Sequence, residues 1–351
     1  MCNLVFLPLM PKFLMLLSLL MRFDLLYLVC ILLKHLGASV SSVCLSILND
    51  GAAIDSLNST LIALIPKIAQ PVRMSEFRPI TLCNVLYKII CKAIANRLRG
   101  VLHDVISESQ SAFIPGRLIS DNAILGFECM HSLKHNTYRN SGALALKLDM
   151  SKAYDRVEWG FLEAIMLRLG FSSTWVALSM RCVTSVSFSF LINGIVCDLL
   201  KASKGLRQGD PLSPYLFILC AEGLSSFLYY EALMGSISSF RCSRGGPKLT
   251  HLFFADDCLI FSSGIASNCQ AIRRILDGYS AAFGQVVNFY KSALCVSKHI
   301  SPSMGHILAN IIGVCLVGCH EHYLGLPCVV GRSKSQLFST IRSCVWDRIK
   351  G

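Results

Sequence analysis

A mixed α/β (α+β) fold is predicted for this chain by three features. The run Ala143-Leu144-Ala145-Leu146-Lys147-Leu148 is strand-like and closes on an acid, Asp149. Leu252-Phe253 and Leu259-Ile260-Phe261 flank Phe254-Ala255-Asp256-Asp257, which reads as a β-hairpin with two adjacent carboxylates at its tip. Between Leu82 and Leu98, by contrast, Val85, Leu86, Ile89, Ile90, Ala93, Ile94 and Leu98 recur at helical spacing.

At 351 residues the chain exceeds a typical single domain, so one multi-lobed unit or two domains are expected. It is 53% hydrophobic and 15% charged, enough apolar residue for a sizeable core. Its 33 Lys and Arg outnumber 21 Asp and Glu, giving a formal charge of +12 at pH 7. That excess suits a polyanionic partner, although a solvated basic surface has the same sum.

From about Val43 the elements follow in order. Thr60 to Ile65 reads as a strand stopped by Pro66. The helix over Leu82 to Leu98 sets Lys88, Lys92, Arg97 and Arg99 opposite its apolar face, either a solvated face or a contact for nucleic-acid phosphates. Gln110 to Arg117 is a loop broken by Pro115-Gly116, and Ser120 or Asp121 caps a helix from near Asn122. A polar turn from Asn136 to Gly142 leads into the strand that ends at Asp149. Ser151 to Asp155 then bends the chain into a helix containing Phe161, Leu162, Ile165, Met166 and Leu169, closed by Gly170. Asn193-Gly194 predicts a hairpin. Gly205 to Pro214 is a turn-rich loop entering a helix, with Ser213 as N-cap and Pro214 at the first helical position.

The N-terminus differs in composition. Phe13 to Leu33 is almost continuously apolar and about long enough to span a bilayer, but Arg22 and Asp24 fall near its middle, where each costs about 3 kcal/mol. No small-residue cleavage site follows promptly, as a signal peptide needs, and Asn58-Ser59-Thr60 is a glycosylation acceptor only in a secreted chain. A buried helix, a membrane anchor and an appendage over residues 1–42 unrelated to the rest are the three readings. The change of composition near Gly37 favours the appendage. A membrane partner is accordingly not expected, and an intracellular location, nuclear or cytoplasmic, is favoured.

The 17 cysteines are scattered through apolar stretches and read as reduced core residues. Cys315, Cys319, His320, His322 and Cys328 have short spacings, but no Cys-x-x-Cys pair supports a zinc site among them.

Three acids on neighbouring strand ends, Asp149, Asp256 and Asp257, are what a two-metal phosphoryl-transfer site requires. Around them the segments Ala145-Leu-Lys-Leu-Asp149 through Tyr154-Asp155-Arg156, Gly205-Leu-Arg-Gln-Gly-Asp-Pro-Leu-Ser-Pro214 and Phe254-Ala-Asp-Asp257 resemble, in order, motifs A, B and C of reverse transcriptases. The match is to the non-LTR, long-interspersed (LINE) type of retrotransposon abundant in plants. Supporting matches are Leu64 to Lys67, Arg78-Pro-Ile80, Ser109 to Arg117, Phe283 to Asn288 with Lys291-Ser292, and Tyr323 to Pro327. They cover roughly the last six-sevenths of the chain, and several ordered motifs are far more specific than one.

The resemblance implies a right-hand polymerase with fingers over residues 43–142, a palm with an antiparallel sheet over 143–300, and the start of a thumb over 301–351. It implies an RNA-directed DNA polymerase acting on an RNA template, a DNA primer and deoxynucleoside triphosphates. Asp149 and Asp256 would bridge two Mg2+ ions, with Asp257 assisting. Tyr154 would lie under the incoming sugar and crowd a 2′-hydroxyl, Arg78 and Lys67 would meet the triphosphate, and Gln208 and Gly209 would pack against nucleotide and template. Lys291 would protonate the departing pyrophosphate.

Two departures are expected from the family pattern. Residues before 48 leave no room for the upstream endonuclease of a complete element, and little of a thumb follows Pro327, so a truncated copy is expected. A non-catalytic remnant with at most non-specific nucleic-acid binding is therefore the competing expectation.

Overall fold

The computed structural model describes residues 37–135, 142–192, 195–197, 199–243, 245–320, 322–328, 339, 342–343 and 345–349. The apolar run from Phe13 to Leu33 and the turn residues 136–141 lie outside the described residues. Helix α1 (Gly37–Asn49) sends Cys44 and Ile47 into the core. Strand β1 (Ser59–Pro66) then pairs antiparallel with β2 (Phe77–Leu82), Leu61 opposite Leu82 and Pro66 opposite Phe77.

Helix α2 (Val85–Arg99) starts where the Asn84 side chain accepts from the Leu86 amide at 2.9 Å. Its buried stripe is Tyr87, Ile90, Cys91, Ile94, Ala95 and Leu98. Of the residues expected to face inward, Val85, Leu86, Ile89 and Ala93 are only half-buried, while the buried stripe carries Tyr87, whose hydroxyl donates to the Cys182 carbonyl and to Asp210 at 3.0 Å each. Of the four basic residues expected on the opposite face, Lys92, Arg97 and Arg99 are exposed and Lys88 is half-buried.

A single turn, α3 (Leu102–Val105), precedes α4 (Ile119–His135). The latter begins before Asn122, so Ser120 and Asp121 lie in its first turn rather than at its cap. Asn122 is instead buried, donating to the Phe253 carbonyl and to Ser111 Oγ at 3.0 Å each.

After β3 (Ala143–Leu148) and β4 (Met150–Ser151) come α5 (Trp159–Arg168), α6 (Ser173–Thr184), β5 (Ser187–Ile192), β6 (Ile195–Val196) and β7 (Leu200–Lys201). β5 lies parallel to β1 and antiparallel to β6 and β7, giving the order β2-β1-β5-β6. The expected turn at Asn193-Gly194 lies outside the described residues, but Ile192 and Ile195 on either side of it pair.

Helix α7 (Ser213–Leu233) opens one residue earlier than expected. Leu212 is its N-cap and Ser213 is already helical, because Asp210 Oδ1 takes the Leu212 amide at 2.9 Å and fixes the entry. This helix is long and apolar enough to cross a membrane, yet Leu216, Phe217, Ile218, Leu219 and Cys220 are buried in the core.

The remaining elements are β8 (His251–Phe254), β9 (Asp257–Ser263), α8 (Ala266–Phe283), β10 (Val286–Val287), β11 (Ala293–Val296), α9 (Pro302–Ile312), β12 (Cys315–Val317) and a small hairpin of β13 (His322–Tyr323) with β14 (Leu326–Pro327). The central sheet has the order β12-β11-β3-β9-β8. Its pairs are antiparallel except β11 with β12, which is parallel. The strands drawn from residues 143–300, β3, β8, β9 and β11, thus pair antiparallel with one another; β12 adds a parallel edge because α9 carries the chain back to the start of β11 before β12 begins, and such a crossover makes parallel neighbours.

Strand alternation divides the interior. Leu144, Leu146 and Leu148 of β3 join the main core with Cys258 and Ile260 of β9, whereas Ala143 and Ala145 join a second core with Leu259 and Phe261. Met130 and Leu133 of α4, Phe240 and Tyr323 complete that second core. Both faces of the sheet are therefore covered, and the edges of β3 and β9 at one end carry the acids.

Candidate functional site

In the β3–β9 register Leu148 is opposite Cys258, so Asp149, the next residue, comes level with Asp257 at the end of the sheet where β8 turns into β9. Asp256 occupies that two-residue turn, after Ala255 in the left-handed region at φ +54°. Burial and the neighbouring Asp256 push the Asp257 carboxyl above the usual range, Lys147 draws it back, and Asp149 adds to the rise. Three like charges thus share one sheet end.

Backbone contacts fix Asp149. Ser292 Oγ accepts from its amide at 3.1 Å, and its carbonyl accepts from the Asn288 amide at 2.8 Å. The next two residues, Met150 and Ser151, pair with Val287 and Val286. The turn after α8 therefore clamps the chain on both sides of this acid. Ser292 and Asn288 were visible in the sequence only as parts of a supporting motif.

Tyr154 stacks on Phe217 with ring centroids 4.8 Å apart and planes 10° from parallel. Burial raises its hydroxyl, and the charge of Asp256 raises it further. The Gln285 amide nitrogen donates to the Ala153 carbonyl, and Tyr154 O accepts from the Leu206 amide at 2.8 Å, which ties this bend to the 205–210 loop.

In that loop the Gln208 carbonyl accepts from the Thr81 amide at 2.9 Å and from Thr81 Oγ1 at 2.7 Å. Gly209 lies at φ +106°, and a Cβ there would stand 3.0 Å from the Thr81 carbonyl. Close backbone approach is thus required, toward β2 of the neighbouring sheet. Arg207 and Asp210 form a buried ion pair at 3.0 Å, both side chains 4% exposed. Asn58, Thr60, Tyr87 and the Cys182 carbonyl accept from the same guanidinium. This network went unrecognised in the sequence, since its hydrogen-bonded pairs lie up to 149 residues apart.

Lys67 and Arg78 are exposed on the β1–β2 hairpin. Lys67 Nζ donates to the Ser75 carbonyl at 2.9 Å. Burial raises the Asp155 carboxyl, and Lys152, Lys67 and Arg156 ease it back. Lys291 is exposed in the turn that clamps Asp149, its own amide donating to the Asn288 carbonyl at 3.1 Å.

As hard oxygen donors with mutual repulsion, the three aspartates have the chemistry of a divalent-cation site. Among the described residues, however, no three His, Cys, Asp or Glu side chains converge as a metal-holding group. That holds for the acids and for the cysteine and histidine cluster near the C-terminus. There Cys328 is in the second core, Cys315 is exposed, and His320 Nε2 lies 3.1 Å from the Ala145 carbonyl.

Residues 65–326 match the family model described as reverse transcriptase (RNA-dependent DNA polymerase). The chain is 30% identical over 244 residues to a transposon TX1 uncharacterized 149 kDa protein of Xenopus laevis, covering 68% of this chain and 18% of that protein. It is 27% identical over 201 residues to a retrovirus-related Pol polyprotein from the type-1 retrotransposable element R2 of Popillia japonica, covering 56% and 26%. A stretch of 68 residues is 52% identical to an uncharacterized mitochondrial protein of Arabidopsis thaliana, covering 19% and 56%. The chain therefore spans between 18% and 56% of the length of these relatives. Among solved structures, apo telomerase from Candida tropicalis truncated from its C-terminal domain superposes with a TM-score of 0.50 at 14% identity, covering 69% of this chain and 51% of that one. At that identity the likeness is one of fold.

Proposed function

This chain belongs to the reverse transcriptase (RNA-dependent DNA polymerase) family, and from that premise we propose that it grips a primer paired to an RNA template. The observation that carries the proposal is the extent of the family match, residues 65–326, joined to a formal charge of +12 and the exposed Lys92, Arg97 and Arg99 of α2. Fingers over 43–142, a palm over 143–300 and the start of a thumb over 301–351 are part of the same proposal, as is the plant-type, non-LTR affiliation. Binding without catalysis is the reading that asks least of these observations, because no three-ligand metal group occurs among the described residues.

RNA-directed DNA synthesis is the more demanding reading, favoured by the register that sets Asp149 level with Asp257 beside the Asp256 turn. Here Asp149 and Asp256, with Asp257, would hold two magnesium ions whose chemistry is to activate a primer 3′-hydroxyl and neutralise the leaving pyrophosphate. Tyr154 would crowd a 2′-hydroxyl, Gln208 and Gly209 would border the base, and Arg78, Lys67 and Lys291 would face the phosphates.

One preparation tests both readings. Fluorescence anisotropy on a labelled RNA–DNA primer–template should give an affinity that falls steeply with salt. Primer extension with magnesium and deoxynucleotides, beside an Asp256→Asn/Asp257→Asn control, then separates them. Extension lost in the control establishes polymerisation, binding without extension leaves the non-catalytic reading, and no binding removes both.

A further inference from the structure

Gln110 is 1% exposed and lies in the loop from Ser107 to Arg117, outside the two motifs that carry the acids. That loop clasps the edge of the hairpin. The Phe253 amide donates to the Ser109 carbonyl at 2.8 Å, and the Ser111 amide donates to the Phe253 carbonyl at 3.1 Å, so Gln110 pairs in parallel with Phe253. Arg117 ties the loop from behind, Nη1 donating to the Ser107 and Gln110 carbonyls and Nη2 to the Ile106 carbonyl.

From this position the Gln110 Oε1 accepts two amides, Ala112 N at 2.9 Å and Ala255 N at 3.0 Å. Ala255 is the left-handed residue that immediately precedes Asp256. A non-glycine residue is strained in that conformation, so the turn needs a fixed partner to hold its shape. Gln110 Nε2, meanwhile, is buried with no partner of its own. An unpaired buried amide is itself unfavourable. The side chain is thus used for its oxygen, and that oxygen goes to the Asp256 turn.

We propose that Gln110 is a positioning residue that locks the Ala255–Asp256 turn and thereby aims the Asp256 carboxylate. Its consequence for chemistry rests on the polymerisation reading above, whereas its hold on the turn does not. Gln110→Met is near-isosteric and removes the acceptor; Gln110→Glu retains one.

Amide hydrogen exchange tests the hold directly. In Gln110→Met, exchange at Ala255 and Asp256 should accelerate about tenfold or more, with Ala145 to Leu148 of β3 unchanged, and Gln110→Glu should restore most of the protection. Unchanged turn exchange in Gln110→Met, or equal loss across β3, overturns the proposal. If Gln110→Met does not fold, Gln110→Glu decides: protection at Ala255 near that of the unmodified chain supports the role, and protection lost there overturns it.

Primer extension supplies the second readout. Misaiming one ligand should lower kcat about 10- to 100-fold in Gln110→Met with the KM for nucleotide and the duplex affinity retained. A loss confined to KM contradicts the positioning role. Should the unmodified chain fail to extend a primer, the polymerisation reading falls, while the exchange measurement still decides the role of Gln110.

Discussion

Two polar clusters lie at the ends of neighbouring elements, and they are built in opposite ways. Around Arg207 every charge has an answer: Asp210 at 3.0 Å, the Tyr87 hydroxyl, Asn58, Thr60 and a carbonyl, all in the interior. Around Asp149, Asp256 and Asp257 like charges meet at a sheet end, and the burial of Asp257 makes the repulsion worse. The first cluster is complete within the chain and fixes the 205–210 loop against β2. The second is left unbalanced by charge, and on the proposed polymerase reading a divalent cation would offset it.

Breaking the complete cluster should have the largest effect. Arg207→Met leaves the Asp210 carboxylate buried and unpaired, at a cost of about 3–5 kcal/mol read from the urea midpoint. Replacing both partners, Arg207→Met with Asp210→Leu, should recover part of that loss. If the single variant changes stability no more than a surface substitution does, the network is not the anchor described.

Gly209→Ala comes next. The added Cβ meets the Thr81 carbonyl at 3.0 Å in a backbone conformation at φ +106°, and a loss of about 1–3 kcal/mol is expected by the same titration. Duplex binding should weaken with it if the loop borders the template.

The incomplete cluster should respond in the opposite sense and less. Asp257→Asn removes a repelled, desolvated charge, so the melting temperature should rise by roughly 1–2 °C. The pH dependence follows with the same sign. Because the folded carboxyl binds its proton more tightly than the unfolded one, the folded state holds more protons in the window just above the ordinary Asp value, and stability falls as pH rises through it. Asp257→Asn should flatten that slope, as a pH series of melting curves would reveal.

How much of this was legible in the sequence depends on the range of the interaction. β3 and β9 were readable because a short apolar run beside an acid is a local signal, whereas the division of Leu144, Leu146 and Leu148 from Ala143 and Ala145 between two cores shows only in the packed sheet. Asp149, Asp256 and Asp257 were readable because they end those strands. The parallel β12 was not, since only α9 lying back along the sheet decides its direction. The start of α7 was misread because Asp210, committed to Arg207 through one oxygen, also takes the Leu212 amide through the other. Gln110 looked like a loop residue; its value appears only once Phe253 is beside it, 143 residues later.

The proposal that the three carboxylates form a site completed by a divalent cation between protein and nucleic acid is tested most directly by anisotropy on an RNA–DNA primer–template with and without Mg2+. The unmodified chain is compared with Asp149→Asn/Asp256→Asn/Asp257→Asn. Mg2+ is expected to tighten binding by the unmodified chain and to leave the triple variant unaffected, and without Mg2+ the variant should bind at least as tightly. An equal response of both proteins to Mg2+, or none in either, would contradict it.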